Sequence, residues 1–182
     1  MEKEKRRCKW VNLKNPLYIS YHDNEWGVPH YNDEYMFEFL VLETFQAGLS
    51  WECILNKREN FRKAFDNFNY NKISKYDEAK VNELCNNDGI IRNKLKINTT
   101  INNAKIFKQI SEEYKGFYNY LKTFTKGDII YENDKTTSNL SDNISQDLQK
   151  RGMKFVGSTI IYSYLQAIGV INSHDDTCDY KK

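Results

Sequence analysis

No stretch of the 182 residues is long and apolar enough to span a bilayer, which takes roughly 20 apolar residues. The opening MEKEKRRCKW lacks the apolar segment of a secretory leader. Together these absences point to a cytoplasmic, reducing location, with no membrane partner. The four cysteines are then expected as thiols or metal ligands rather than disulfides. Charge of one sign is also missing: 27 Lys and Arg stand against 25 Asp and Glu, a net charge of +2. Bulk attraction to nucleic acid is thereby excluded, and any such binding must come from a local basic patch. There is no internal repeat and no sustained period-two alternation, so the signals of a solenoid, sandwich or barrel are absent.

What is present suits one helical domain spanning 1–182. Forty per cent of residues are apolar, and 13 Tyr, 10 Phe and three Trp can fill a core. Residues 1–30 read as irregular, broken by Pro16, Gly27 and Pro29, and rich in aromatics: Trp10, Tyr18, Tyr21 and Trp26. A helix is predicted from Asp33 as N-cap to about Ala47, with Gly48 closing it. A second begins near Ser50, and a third is capped by Asp77 and stops at Asn86-Asn87-Asp88-Gly89. A long helix follows, carrying Ile97, Ile101, Ala104, Phe107 and Ile110 on one stripe. Shorter helices are predicted around 117–124, 141–150 and 158–168, with a polar loop over 125–140. Cys53 and Cys85 fall within helical patterns and read as small buried hydrophobes.

Two patterns carry chemistry. Cys8 with His22, and His174 with Cys178, form two pairs of metal-type ligands at opposite ends of the chain. Two thiolates and two imidazoles make a closed tetrahedral set of the kind zinc uses structurally. The spacing between Cys8 and His22 fits no tight zinc-finger motif, so four unrelated surface residues remain an alternative. The second pattern is a helix, a Gly89-Ile90-Ile91 turn, and a helix opening on Arg92, Lys94 and Lys96. It resembles a helix-hairpin-helix over about 77–110, which presents N–H groups and basic side chains to a phosphate. Ile91 stands where such a motif has its second glycine, and an ordinary packing corner is the competing reading.

The segments NPLYISYHDNEWGVP (15–29), LETFQAGLSW (42–51), KREN (57–60), DGIIRNKLKI (88–97) and KRGMKFVGSTIIYSYLQAIGVINSH (150–174) extend the pattern over nearly the whole chain. They resemble bacterial 3-methyladenine DNA glycosylase I, of the helix-hairpin-helix glycosylase superfamily. The resemblance implies an all-α fold and a structural Zn2+ that joins the terminal segments, about 1–30 and 158–182, through Cys8, His22, His174 and Cys178.

It also implies a monofunctional base-excision repair enzyme that hydrolyses the N-glycosidic bond of N3-methyladenine in double-stranded alkylated DNA. The free base is a product, and the protein acts as a monomer in the bacterial cytoplasm at the nucleoid. Base flipping costs a few kcal/mol, less for a damaged base. By resemblance Trp51 stacks on the extruded base, while Trp10, Tyr18, Tyr21 and Trp26 line the pocket. Glu43 is the pocket carboxylate, with Tyr21 helping to hold the base. Read locally, Glu43 could equally be a salt-bridged or exposed carboxylate. Gln46 to Leu49 resembles the segment that enters the duplex, with Gly48 at the turn and Leu49 as wedge; Leu49 read locally is a core leucine. Gly89, Arg92 and Lys94 contact the DNA backbone. Glu112 and Glu113 read as exposed charges, and no hairpin lysine resembles a Schiff-base nucleophile. Lys57, Arg58, Arg62, Lys94, Lys96, Lys150 and Arg151 could share one basic face. The principal alternative is a non-catalytic, zinc-containing helix-hairpin-helix DNA-binding protein. A zinc hydrolase acting on nucleotides is disfavoured, because four protein ligands leave no open position.

Overall fold

Asparagine starts helix after helix. The computed structural model describes residues 5–181, and within it Asn15, Asn32, Asn69 and Asn93 each accept a hydrogen bond from a first-turn N–H. Such side-chain caps satisfy donors that the helix itself leaves unpaired. Asn15 followed by Pro16 launches α1 (Pro16–Asn24). This helix overturns the expectation of an irregular 1–30: proline at the first helical position costs nothing, because its missing N–H would be unpaired there anyway. Asn32 launches α2 (Asp33–Gln46), so the N-cap is Asn32 and not Asp33. The Asp33 carboxylate instead accepts the Phe117 N–H at 2.9 Å.

The remaining elements are α3 (Trp51–Ala64, capped by Ser50), a 3₁₀ turn at Asp66–Phe68, α4 (Tyr70–Ile73), α5 (Glu78–Cys85, capped by Asp77), α6 (Lys94–Tyr114), α7 (Phe117–Thr125), α8 (Asn139–Lys150) and α9 (Ser158–Ala167). The fold is mostly helical, with one departure in the segment expected as loop. There β1 (Ile130–Tyr131) pairs in parallel with β2 (Ile171–Asn172). Cys53 and Cys85 are half-buried, not buried, and Cys85 packs against the core.

Every residue of α2 from Met36 to Phe45 is buried. A helix covered on all sides needs neighbours on all sides, and α3, α6, α7 and α9 surround it. The N-terminal segment then lies across the end of α9. Gly27 N donates to Gln166 O at 2.9 Å and His30 N to Ile168 O at 3.1 Å. Gly169 permits the crossing. Its φ is +76°, and a Cβ there would fall 2.1 Å from the Val28 carbonyl carbon, so only glycine fits.

Candidate active site and metal-ligand cluster

The N-terminal segment, α1, α2, α3 and α9 enclose a cavity of about 340 Å³. Trp10, Tyr18, Tyr21, Trp26, Glu43 and Trp51 all face it, so six residues scattered from 10 to 51 converge on one space. Tyr21 lies 5.2 Å from the Trp51 ring and stacks on Phe39 at 5.9 Å. Trp10 meets Trp26 edge-on at 4.7 Å and Tyr18 at 5.5 Å. The start of α1 is fastened beside Trp51: Asn12 Nδ2 and Asn15 Nδ2 each donate to Glu52 Oε1 at 2.8 Å. The indole N–H of Trp51 is buried and has no acceptor among the described residues.

Glu43 is 5 % exposed, so it is neither a surface carboxylate nor half of a salt bridge. Burial alone pushes its carboxyl up to about 8, with no charge or donor among the described residues set against that cost. Behind the cavity wall the charge arrangement is the opposite. Arg58 on α3 donates to Glu38 Oε1 on α2 at 2.6 Å and to Glu25 Oε2, at the end of α1, at 2.8 Å. Arg62 adds a bond to Glu38 at 2.9 Å, and the Arg58 guanidinium lies 4.7 Å from the Phe39 ring. The three helices that carry Tyr21, Glu43 and Trp51 are thus joined by one buried ionic network.

Beside the cavity, Cys8, His22 and Cys178 bring one ligand atom each to within 4.8 Å of the others. His22 Nδ1 is held at 2.8 Å by Asp23, which leaves Nε2 3.6 Å from Cys178 Sγ. His174 stands just outside this group. Its ring is 5.0 Å from that of His22, its Nδ1 is paired with Asn172 Oδ1 at 2.9 Å, and its Nε2 is buried without a partner among the described residues. Gly27, at φ +71°, would place a Cβ 3.0 Å from the His174 ring; the glycine lets the strap holding Trp26 lie against that imidazole.

The turn between α2 and α3 places Gly48 at φ +85° in open space and leaves Leu49 41 % exposed, so Leu49 is not a core leucine. Between α5 and α6, Arg92 and Lys94 are exposed, with Lys94 3.7 Å from Glu78. The Gly89 N–H is taken by Asn87 Oδ1 at 2.9 Å, an internal turn bond that withdraws it from phosphate binding. The single basic face does not form. Arg58 is buried in its network, Arg151 pairs with Glu113 and Asp147, and Lys96 is buried. Glu112 and Glu113 are exposed.

Sequence reasoning did not find most of the polar side of the cavity, Asp134, Ser163, Gln166, Ser173 and Asp175, and placed Gln46 only in the duplex-entering segment. Gln166 Nε2 donates to Ser173 Oγ at 2.8 Å. The available signal was Ser163 and Gln166 one turn apart on α9.

Comparison with known proteins gives a consistent picture. The family described as methyladenine glycosylase matches residues 10–182. DNA-3-methyladenine glycosylase 1 of Escherichia coli K12 is 42 % identical over 94 % of this chain and 95 % of its own length. A crystal structure of a 3-methyladenine DNA glycosylase I superposes with TM-score 0.91 at 40 % identity, covering 96 % of this chain and 98 % of that one. A tyrosine-to-phenylalanine variant of such an enzyme, solved in complex with 3-methyladenine, superposes with TM-score 0.92 at 28 % identity over 97 % of both chains.

Proposed function

The chain belongs to the methyladenine glycosylase family, and from that premise we propose how its residues serve the activity. It is a DNA repair enzyme, a 3-methyladenine DNA glycosylase that hydrolyses the bond between the damaged base and its sugar. The observation that carries the reading is a lone buried carboxylate inside an aromatic cage. N3-methylation leaves the purine cationic while it is attached to deoxyribose. Trp51 stacks on the extruded base, a contact worth roughly 1–3 kcal/mol, and Trp10, Tyr18, Tyr21 and Trp26 surround it. The negative ring faces favour a cation. An arriving cation also supplies the counter-charge that the protein withholds from Glu43, so binding and ionisation of this carboxyl are linked. A neutral adenine brings no such charge and is discriminated against.

The chemistry demands little beyond this, because the methylated base is already a good leaving group; selective capture carries much of the burden. Glu43 and Tyr21 act on the base directly. Double-stranded DNA is the partner, gripped along its backbone by Arg92 and Lys94 at the turn between α5 and α6, with Gly89 shaping that turn. We read this pair of helices as a helix-hairpin-helix. Gly48 and Leu49 enter the duplex beside the vacated position. The enzyme works as a cytoplasmic monomer on nucleoid DNA, and among the described residues no helix is long and apolar enough to cross a membrane. It is monofunctional: the Lys96 ammonium near the hairpin is occupied by two carbonyl acceptors and is no nucleophile.

Cys8, His22, Cys178 and the adjacent His174 would hold a structural Zn2+. The donor set suits it, the two imidazoles are oriented by Asp23 and Asn172, and the buried, unpartnered Nε2 of His174 calls for an electrophile. Four protein ligands leave such an ion no open position, so it braces the N-terminal aromatics.

Release of free base from alkylated duplex DNA, with products separated by identity, tests the assignment. Glu43→Gln and Trp51→Ala are expected to lower 3-methyladenine release by at least about tenfold, the equivalent of ~1.4 kcal/mol. Wild-type release by both variants would remove Glu43 and Trp51 from the site; only a parent protein that releases no free base would return the chain to the non-catalytic DNA-binding reading. For the metal, a chelator is expected to lower Tm by several degrees and to release about one zinc per chain; an unchanged Tm with no zinc released refutes the site.

A further inference from the structure

The last carbonyls of a helix lack partners within the helix, and at the end of α2 a single ammonium serves two of them. Lys96 Nζ donates to Phe45 O at 2.8 Å and to Ala47 O at 2.7 Å. Lys96 belongs to the first turn of α6 and is 6 % exposed, so the sequence expectation of a solvent-facing basic residue is wrong for it. Burying an ammonium is costly unless acceptors meet it; here they are the negative end of a helix dipole. A methionine would fill the same space without that cost, so packing alone does not account for the charge. The turn that Lys96 holds has little else to fix it. Ala47, Gly48, Leu49 and Ser50 are exposed, and within the turn Leu49 N donates to Gln46 O at 2.7 Å.

We propose that Lys96 is a positioning residue that locks the 46–49 turn to the start of α6, so that gripping the DNA backbone and inserting Leu49 occur as one rigid movement. The inference rests on the reading of these two turns as the DNA contacts. Lys96 touches neither the cavity nor the exposed surface that Arg92 and Lys94 present. It acts only through the shape of the turn.

The test is a double-mutant cycle on affinity for a duplex containing a stable abasic-site analogue, read by fluorescence anisotropy. Affinity for free 3-methyladenine is measured in parallel by tryptophan quenching. Leu49→Ala is expected to weaken duplex binding. Lys96→Met is expected to weaken it about tenfold, the scale of a lost charged hydrogen bond, and to add almost nothing in the Leu49→Ala background. Binding of the free base stays unchanged, a result that general loosening of the fold would not give. Should Lys96→Met fail to fold, Lys96→Gln, which keeps N–H donors without the charge, carries the same cycle. The clamp is refuted if the Lys96 variant binds the duplex normally, if its effect adds to that of Leu49→Ala, or if free-base binding falls in parallel. A silent Leu49→Ala removes the wedge reading itself and the clamp with it.

Discussion

Glu38 and Glu43 stand little more than one turn apart on α2, and both are buried, at 6 % and 5 % exposure. Glu38 is bound by two guanidinium groups, Arg58 at 2.6 Å and Arg62 at 2.9 Å. Glu43 faces a cavity, with nothing among the described residues to offset its burial. The same side chain on the same helix thus joins the fold together at one position and waits for a ligand at the other. A buried acid that the protein satisfies is structural, whereas one left unsatisfied beside an open space is poised for a cation.

The sharpest way to break this contrast is pH. An acid whose folded value is raised stabilises the native state fully below its unfolded value, and that contribution is lost as pH rises through the folded value. For Glu43 the window runs from 4.5 to about 8, and the loss across it is on the order of 3–5 kcal/mol. Glu43→Gln carries no such titration, so its stability advantage over the parent should grow from pH 5 to pH 8 in urea unfolding. A constant difference would mean that Glu43 is compensated after all. Next in size is Arg58→Met, which leaves Glu38 with one partner and Glu25 without its guanidinium. We expect a loss of about 3 kcal/mol and a cavity that binds 3-methyladenine more weakly, since α1, α2 and α3 lose their common tie. Smallest is Arg62→Met. Its side chain is 31 % exposed, and unfolding should register about 1 kcal/mol or less. An effect of Arg62→Met equal to that of Arg58→Met would show that the network does not centre on Arg58.

Local signals made much of this architecture legible. Asp77 caps the helix it was expected to cap, the helix expected to begin near Ser50 does so, and the apolar stripe of α6 is buried from Ile97 to Ile110. The convergence of Trp10, Tyr18, Tyr21, Trp26, Glu43 and Trp51 was legible only through resemblance, because no spacing rule joins residue 10 to residue 51. Lys96 shows the limit most clearly. From the chain it is one of several basic residues near a turn, and only the arrival of α2 beside α6 turns it inward. Arg58 was hidden in the same way, since its partners lie on two other helices. The missed α1 is a different case: Asn15-Pro16 is a readable start signal, but the surrounding Pro and Gly outweighed it.

The seating of residues 27–30 across the end of α9 bears on how the protein is made. Trp26, Gly27 and His30 leave the ribosome well before their seats on His174, Gln166 and Ile168. During synthesis this strap must therefore wait, unplaced, until α9 and the segment after it emerge to receive it. A chain that has not yet reached them has no finished cavity in which to trap a purine.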